Sequence, residues 1–169
     1  MITEKIYISE EEEKILISAI GKKLNLISTE DNLNFNEDFI WEIYCDFGEF
    51  CIKIEREDIV AKLFDMNEDG GKFLISKLQP KNEHKIITKT INRIVQNVSV
   101  CYVTVKFSNY EITYPKAIIF NFKDCNLVIE KAWIFSLAGF MVRLELSENE
   151  TFGFIDELSF WYDSDEDEE

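Results

Sequence analysis

The chain has 169 residues, of which 46% are hydrophobic and 14% aromatic, a composition that excludes global disorder and supports one folded domain. Its net charge of -15 disfavours nonspecific binding to nucleic acid or to anionic membranes, because both repel a negatively charged protein. No apolar run approaches the roughly 20 residues that span a bilayer, and no secretory signal is visible, so we expect a cytoplasmic protein.

The charge is unevenly distributed along the chain. Residues 1–71 carry a net charge of -11, residues 72–106 carry +6, and residues 107–169 carry -10. The protein is therefore acidic at both ends and basic in the middle. Such a balance favours a cationic partner, with solubility alone as the simpler explanation.

An amphipathic helix is predicted over residues 9–22. Ser9 is typical of a helix N-cap, and Glu12 completes the Ser-x-x-Glu capping box. The glutamates Glu10–Glu13 suit the positive end of the helix dipole. This acidic run is therefore interpreted as a well-capped first turn rather than as a binding patch.

A β-hairpin is predicted over residues 39–56. Apolar side chains alternate with polar ones on both sides of Gly48-Glu49, which is the period-two pattern of strands with one buried face. A two-residue turn there predicts three facing pairs: Phe47 with Phe50, Cys45 with Ile52, and Ile43 with Ile54. Cys45 and Cys51 then lie on opposite faces, so no disulfide is expected between them.

A short helix over residues 57–64 and an acidic turn are predicted next. The turn, Asp65 to Gly70, resembles the first half of an EF-hand calcium loop, and the candidate ligands are Asp65, Asn67 and Asp69. The resemblance ends there, because Lys72 occupies a hydrophobic position and Ser76 replaces the bidentate glutamate at position twelve. An ordinary turn closed by Gly70-Gly71 is the favoured interpretation, with a weak calcium site as the alternative.

A second amphipathic helix is predicted over residues 83–97. Its buried face would consist of residues at helical spacing: Ile87, Ile91, Ile94, Val95 and Val98. Basic residues recur every four positions on the other face: Lys81, Lys85, Lys89 and Arg93. A solvated surface is the favoured interpretation of this basic stripe, and a docking site for an anionic ligand is the alternative.

An antiparallel meander is predicted over residues 99–146. The clearest period-two alternation in the chain lies in this range, from Ile118 to Leu146. The predicted fold class is therefore α+β. An antiparallel sheet would be built from the hairpin at 39–56 and the meander at 99–146, and it would be covered by the helices at 9–22 and 83–97.

No metal or cofactor is expected. The four cysteines, Cys45, Cys51, Cys101 and Cys125, form no Cys-x-x-Cys pair, and His84 is the one histidine that could join them. They are interpreted as reduced, small apolar residues. The sequence contains no phosphate-binding loop, nucleophile elbow or metal-binding histidine pair. Histidine is the commonest general base, and a chain with one histidine can form few catalytic arrangements that use it.

The last seven residues contain six carboxylates, so we predict one globular domain over residues 1–162 and a disordered acidic tail over residues 163–169. The residues around the start of the tail combine aromatic anchors with negative charge: Phe160, Trp161, Tyr162, Asp163, Asp165 and Glu166. Aromatic anchors beside acidic residues suit a protein interface. A solubilising terminus is the alternative interpretation.

These observations favour a non-enzymatic binding protein, in the form of a small acidic inhibitor or immunity-type protein that blocks a basic protein partner. The first alternative is an accessory protein that binds an anionic ligand through the basic face of the helix at 83–97. The second is an enzyme with an unrecognised carboxylate site. Direct binding of nucleic acid or membrane is not expected, and homo-oligomerisation through an edge strand is left open.

Overall fold

The computed structural model describes residues 2–30, 39–63, 66–80, 87–107, 109–131 and 139–146. These residues form eleven strands and one helix: β1 (Ile2–Lys5), α1 (Glu10–Ile17), β2 (Lys23–Thr29), β3 (Phe39–Ile40), β4 (Glu42–Asp46), β5 (Cys51–Leu63), β6 (Met66–Leu78), β7 (Ile87–Ile94), β8 (Asn97–Phe107), β9 (Tyr110–Asn121), β10 (Asn126–Lys131) and β11 (Phe140–Leu146). The acidic tail lies outside the described residues, so the predicted domain boundary stays a prediction.

The strands form two sheets. In the first sheet, β8, β9, β10 and β11 follow one another as an antiparallel meander, β3 pairs with β11, and β1 pairs in parallel with the beginning of β9. The second sheet has the order β6-β5-β4-β2-β7. Within the described residues, β8 is an edge of the first sheet, and β6 and β7 are the edges of the second.

The predicted α+β class is wrong, because the described chain is mostly strand with one short helix. The strands of the predicted meander are present, but the predicted hairpin belongs to the other sheet. The faces that the helices were expected to cover are instead buried by packing the two sheets together. One hydrophobic core contains side chains from both, and the rings of Phe73 on β6 and Phe140 on β11 lie 5.7 Å apart across it.

The register predicted for the hairpin is confirmed. Cys45 lies opposite Ile52 and Ile43 opposite Ile54, and the Phe47 amide donates a 3.0 Å hydrogen bond to the Phe50 carbonyl. Gly48 has a positive φ of 83°, which a glycine adopts without steric cost. All four cysteines are free thiols, including Cys45 and Cys51.

The predicted helix at 83–97 is wrong: Ile87–Ile94 is strand β7, and β8 begins at Asn97. β7 pairs with β2, and between Leu24 and Leu26 the register shifts so that two residues of β7 oppose one of β2. Asn92, with a φ of 51°, lies in this bulge. Ile91 and Val95 are both buried at a spacing of four. Four is an even number, so a strand with its period of two puts both side chains on one face, and the same spacing also fits one face of a helix.

The predicted helix at 57–64 and the turn after it are also wrong. β5 continues to Leu63, and β6 begins at Met66. The two strands pair without interruption, from Cys51 opposite Leu78 at one end to Leu63 opposite Met66 at the other. Gly70 and Gly71 lie within β6 rather than in a turn. Long cross-strand pairing has overridden the local helical spacing of the apolar residues.

Helix α1 is shorter than the predicted range of 9–22, because its last turn tightens into hydrogen bonds three residues apart before Gly21, which has a φ of 81°. Its capping box is confirmed, since Ser9 and Glu12 bond each other's backbone at 3.1 Å in both directions. The second carboxylate oxygen of Glu12 accepts a 2.9 Å bond from the Ile75 amide of edge strand β6. The helix therefore protects an edge of the second sheet.

We expect Glu12→Ala to lower the free energy of unfolding by about 2 kcal/mol, because it removes both the capping interaction and the acceptor of a part-buried strand amide. Glu11→Ala is the matched control: Glu11 is exposed in the same turn, and its loss should cost no more than about 0.5 kcal/mol. Urea unfolding of both variants measures the difference. Equal stabilities would contradict the bridging role of Glu12.

Strand β9 carries a bulge that positions buried charges. Cys101 of β8 faces Ala117, whereas Tyr102 faces Pro115, so Lys116 is the extra residue. On its other side β9 pairs with β1 up to Thr113 and with β10 from Ala117. Pro115 has no amide hydrogen to donate to a neighbouring strand. It lies where the pairing of β9 is interrupted, both toward β8 and between β1 and β10, and a strand tolerates proline at such a position.

Candidate functional site

Most of the residues predicted from the sequence to bind a partner or ligand lie outside the described part of the chain. These are Phe160, Trp161, Tyr162, Asp163, Asp165, Glu166, Lys81, Lys85 and Asp65. Asn67 and Asp69 lie on strand β6, but their side chains are outside the described set. The acidic-tail and calcium hypotheses therefore stay predictions. Among the described side chains, no group of three or more histidine, cysteine or acidic residues could hold a metal ion.

Two members of the basic stripe are described, and both lie on strand β7 rather than on a helix. Lys89 and Arg93 are half-buried, and the Arg93 Nε lies 3.4 Å from the Asp124 Oδ1. Arg93 is thus already engaged by an acidic residue at the turn between β9 and β10.

An apolar groove lies between α1 and edge strand β8. Its volume is about 750 Å³, and we call it the α1–β8 groove. It is lined by Tyr7, Ile8, Glu13, Leu16, Ile17, Ile20, Asn97, Val98, Val100 and Tyr102. Four of these large apolar side chains are exposed to solvent: Tyr7, Ile17, Ile20 and Tyr102. Clustered exposed apolar side chains mark interaction sites more often than isolated ones do.

Two tyrosines form one wall of the groove. The rings of Tyr7 and Tyr102 meet edge to face with centroids 5.3 Å apart, and the Ile8 amide donates a 3.4 Å hydrogen bond to the Tyr102 hydroxyl. Burial raises the pKa of Tyr102, and the nearby carboxylates Glu13 and Glu12 raise it further. The two rings therefore contact each other, and they lie near the negative charges of the first turn of α1.

Acidic side chains border the same groove. Glu10–Glu13 form the first turn of α1, and Glu13 lines the cavity directly. Glu12 is engaged with Ile75 and Ser9, so Glu13 is the carboxylate that faces the groove. The groove thus combines an apolar floor, two aromatic rings and negative charge, which is a surface suited to a cationic amphipathic group.

A second unusual feature is a set of charged side chains inside the protein. Lys116, Glu130 and Lys131 are all 5% exposed or less. The Lys116 Nζ lies 3.4 Å from the Glu130 Oε1 and donates a 2.6 Å hydrogen bond to the Lys131 carbonyl. Fully buried lysines are rare, because a buried cation loses its hydration.

The buried charges have displaced pKa values. Burial raises the pKa of Glu130 to about 7 even though Lys116 and Arg143 oppose the shift. Burial lowers the pKa of Lys131 to about 7, and the positive charges of Arg56 and Lys116 lower it further. Burial also lowers the pKa of Lys116, against the stabilising charge of Glu130. Such displacements are common at functional sites, although structural ion pairs also produce them.

Sequence reasoning missed both features. The groove combines residues of α1 and the segment before it with residues of β8, which is distant in sequence. Its acidic border was interpreted as part of a helix cap. Lys131 gave the one available signal, since it interrupts the apolar parity of Leu127 and Ile129. A charged residue in register with core positions indicates either a strand end or a buried charge, and the pattern does not decide between them.

Comparisons of the chain with protein-family models, with curated proteins and with solved structures find no match. In the described part of the chain, no helix is long and apolar enough to cross a membrane.

Proposed function

We propose that the chain is a non-enzymatic binding protein that blocks a basic protein partner, as a small acidic inhibitor or immunity-type protein does. The observation that carries the proposal is the α1–β8 groove, an exposed apolar cavity bordered by glutamates in a chain of net charge -15. Negative charge accelerates encounter with a cationic protein, and the apolar groove supplies affinity after contact.

The groove suits a lysine or arginine side chain of the partner. The aliphatic stem of such a side chain would pack against Ile17 and Ile20, which are exposed at the groove. Its cationic head would lie near the carboxylate of Glu13 and the faces of Tyr7 and Tyr102. A cation held by a carboxylate and an aromatic ring is favoured over either contact alone.

The acidic tail supports the same proposal from the sequence. Six carboxylates follow the aromatic run Phe160-Trp161-Tyr162, and they add negative charge that attracts the same class of partner. A chain that ends at Tyr162 keeps every residue that lines the groove, so it tests the contribution of the tail separately.

The two alternative functions have less support. Anion binding by the basic residues of β7 is weakened by the pairing of Arg93 with Asp124. A carboxylate-based enzyme would have Glu130 as its best candidate acid, but Glu130 is buried beside Lys116, and the groove lies elsewhere.

Ile17→Lys is expected to weaken capture of the basic partner by at least about tenfold, because it places a positive charge in the groove against a cationic ligand. Val60→Lys is the matched control: Val60 is also exposed, but it lies on β5 and does not line the groove. The measurement is affinity capture from the host at low and high salt with both variants, the unmodified chain and a chain ending at Tyr162. The captured protein is then identified and titrated directly.

A basic protein that is released by salt, retained by Val60→Lys and lost by Ile17→Lys would support the proposal. Loss on truncation after Tyr162 would assign part of the affinity to the tail. Capture that is unchanged by Ile17→Lys would exclude the groove as the binding surface. Recovery of no basic protein in any arm would overturn the inhibitor function.

A further inference from the structure

Two cationic side chains from opposite sheets, Arg56 and Lys131, interact electrostatically inside the protein. On β5, Arg56 follows Ile54 with the period of two that keeps both on the inner face of the second sheet. On β10, Lys131 follows Ile129 in the same way on the inner face of the first sheet. Lys131 pairs across the sheet with Phe140, whose ring belongs to the core. Both charges therefore face the space between the sheets.

Each of these two cations has a buried hydrogen-bond donor that no described residue satisfies. Lys131 is 1% exposed, and its ammonium group has no hydrogen-bond partner within the described structure. The side chain of Arg56 is 5% exposed, and its Nε–H has no partner there either. The other nitrogens of Arg56 are used, because Nη1 pairs with Asp58 and Nη2 donates a 3.1 Å bond to the Gly70 carbonyl.

The nearby negative charge is already committed. Glu130 pairs with Lys116, and the carboxylate of Asp58, which pairs with Arg56, is largely exposed to solvent. Arg56 and Lys116 both act on Lys131 as positive charges. A buried cation without an anion costs several kcal/mol, and among the described side chains no carboxylate accepts a hydrogen bond from the Lys131 ammonium group.

The backbone and an aromatic ring hold Arg56 in place. Gly71, in the paired strand β6, has no side chain, and an added Cβ there would lie 2.5 Å from the Arg56 Nε. The Trp41 ring stacks on the guanidinium with a separation of 5.3 Å, and Trp41 is exposed to solvent. The guanidinium is therefore held in a fixed orientation, and it lies beside a residue that borders solvent.

We propose that Arg56 and Lys131 form a binding site for a single small oxyanion, a phosphate or carboxylate group, between the two sheets. The guanidinium Nε–H and the ammonium group each donate a charge-assisted hydrogen bond to one of its oxygens. The bound anion neutralises the two cations and satisfies both unpaired donors. This site is separate from the α1–β8 groove and does not depend on the proposed inhibitor function.

Two probes distinguish the two classes of oxyanion. Sulfate stands in for a phosphate group, because its charge does not change near neutral pH, and acetate stands in for a carboxylate. Each is titrated at pH 6 against chloride at matched ionic strength, with calorimetric binding and the thermal unfolding midpoint as readouts. The variants are Lys131→Met and Arg56→Lys, and the control is Lys106→Met, which removes an exposed lysine paired with Glu111 at 3.7 Å.

The unmodified chain and Lys106→Met should bind one of the two anions saturably, and Lys131→Met should bind it at least tenfold more weakly. Arg56→Lys, which keeps the charge but loses the Nε–H donor, should weaken binding as well and serves if Lys131→Met fails to fold. A rise in the unfolding midpoint that is linear in salt and equal in all variants is the general effect of an excluded salt, and it would overturn the proposal. Absence of saturable binding to either probe would overturn it too.

Discussion

Replacing Gly139 with alanine is expected to lower the free energy of unfolding by about 3 kcal/mol or more. Gly139 immediately precedes β11 at the point where β11 pairs with β3, and Phe140 lies opposite Ile40. A Cβ at Gly139 would lie 1.9 Å from the Ile40 carbonyl oxygen and 2.6 Å from its carbonyl carbon. Those atoms are backbone, so they cannot rotate away as a side chain would.

The cost is large because of where the contact lies. Phe39–Ile40 pairs with the first sheet, and the chain then enters the second sheet through β4. Moving Ile40 away from an alanine would therefore shift a connection between the sheets and disturb the core beside Phe140, which is 1% exposed.

Gly21→Ala separates this clash from the general effect of replacing a glycine. Gly21 has a φ of 81° and no atom within 4 Å of an added Cβ, so only backbone strain of about 1 kcal/mol is expected. Urea unfolding should place Gly139→Ala well below Gly21→Ala in stability. A cost at Gly139 equal to or smaller than that at Gly21 would show that β3 and β11 are not in close contact.

Lys131→Met is expected to stabilise the protein by about 3 kcal/mol at pH 6 in the absence of added oxyanion. Burial, together with the positive charges of Arg56 and Lys116, lowers the pKa of Lys131 to about 7. At pH 6 the folded protein must hold this ammonium group inside the core with no hydrogen-bond partner among the described residues. Methionine has a similar length and carries no charge, so it removes that cost and retains most of the packing.

The advantage of the methionine variant should shrink as the pH rises. The pKa of Lys131 is lower in the folded state than its ordinary value of 10.5, so the unfolded chain binds more protons between about pH 7 and pH 10.5. The stability of the unmodified protein therefore rises with pH in that window, by up to roughly 1.4 kcal/mol per pH unit from this group. Lys131→Met lacks this contribution, so the difference between the two proteins should approach zero near pH 9.

The difference in free energy of unfolding between Lys131→Met and the unmodified protein is the quantity to compare, because the titration of groups that both proteins share cancels in it. Glu130, whose pKa is raised to about 7, contributes the opposite slope: its folded state binds the extra proton, so stability falls between about pH 4.5 and pH 7. The experiment is urea unfolding of both proteins at pH 6, 7.5 and 9, with Lys106→Met as an exposed control that should track the unmodified chain. A destabilised Lys131→Met at pH 6, or a difference independent of pH, would show that Lys131 is not a buried cation.

The sequence alone determined the features that depend on neighbouring residues or on one turn. The Ser9–Glu12 capping box needs only a spacing of three, and it forms as predicted. The hairpin around Gly48 needs only alternation and a tight turn, so its register was predictable to the residue. The strands of the meander follow from the same period of two.

Only the tertiary structure decided which segments with helical spacing became strands. Ile91 and Val95 are both buried at a spacing of four, which fits a strand with its period of two as well as a helix, and the pairing of β7 with β2 decided the strand. In the same way, pairing with β6 over its whole length made the end of β5 a strand. Local spacing cannot make this choice, because the partner strand is distant in sequence.

The candidate sites could not be predicted from the sequence for a related reason. Tyr7 and Tyr102 meet because β1 and β8 both pair with β9, and the charge of Arg56 acts on Lys131 because two sheets pack over one core. The composition shows that the chain is acidic, and the local alternation of apolar residues predicts its strands, because both are properties of single segments. The packing of distant segments determined where the charges are buried and where the groove opens, because burial depends on every surrounding atom.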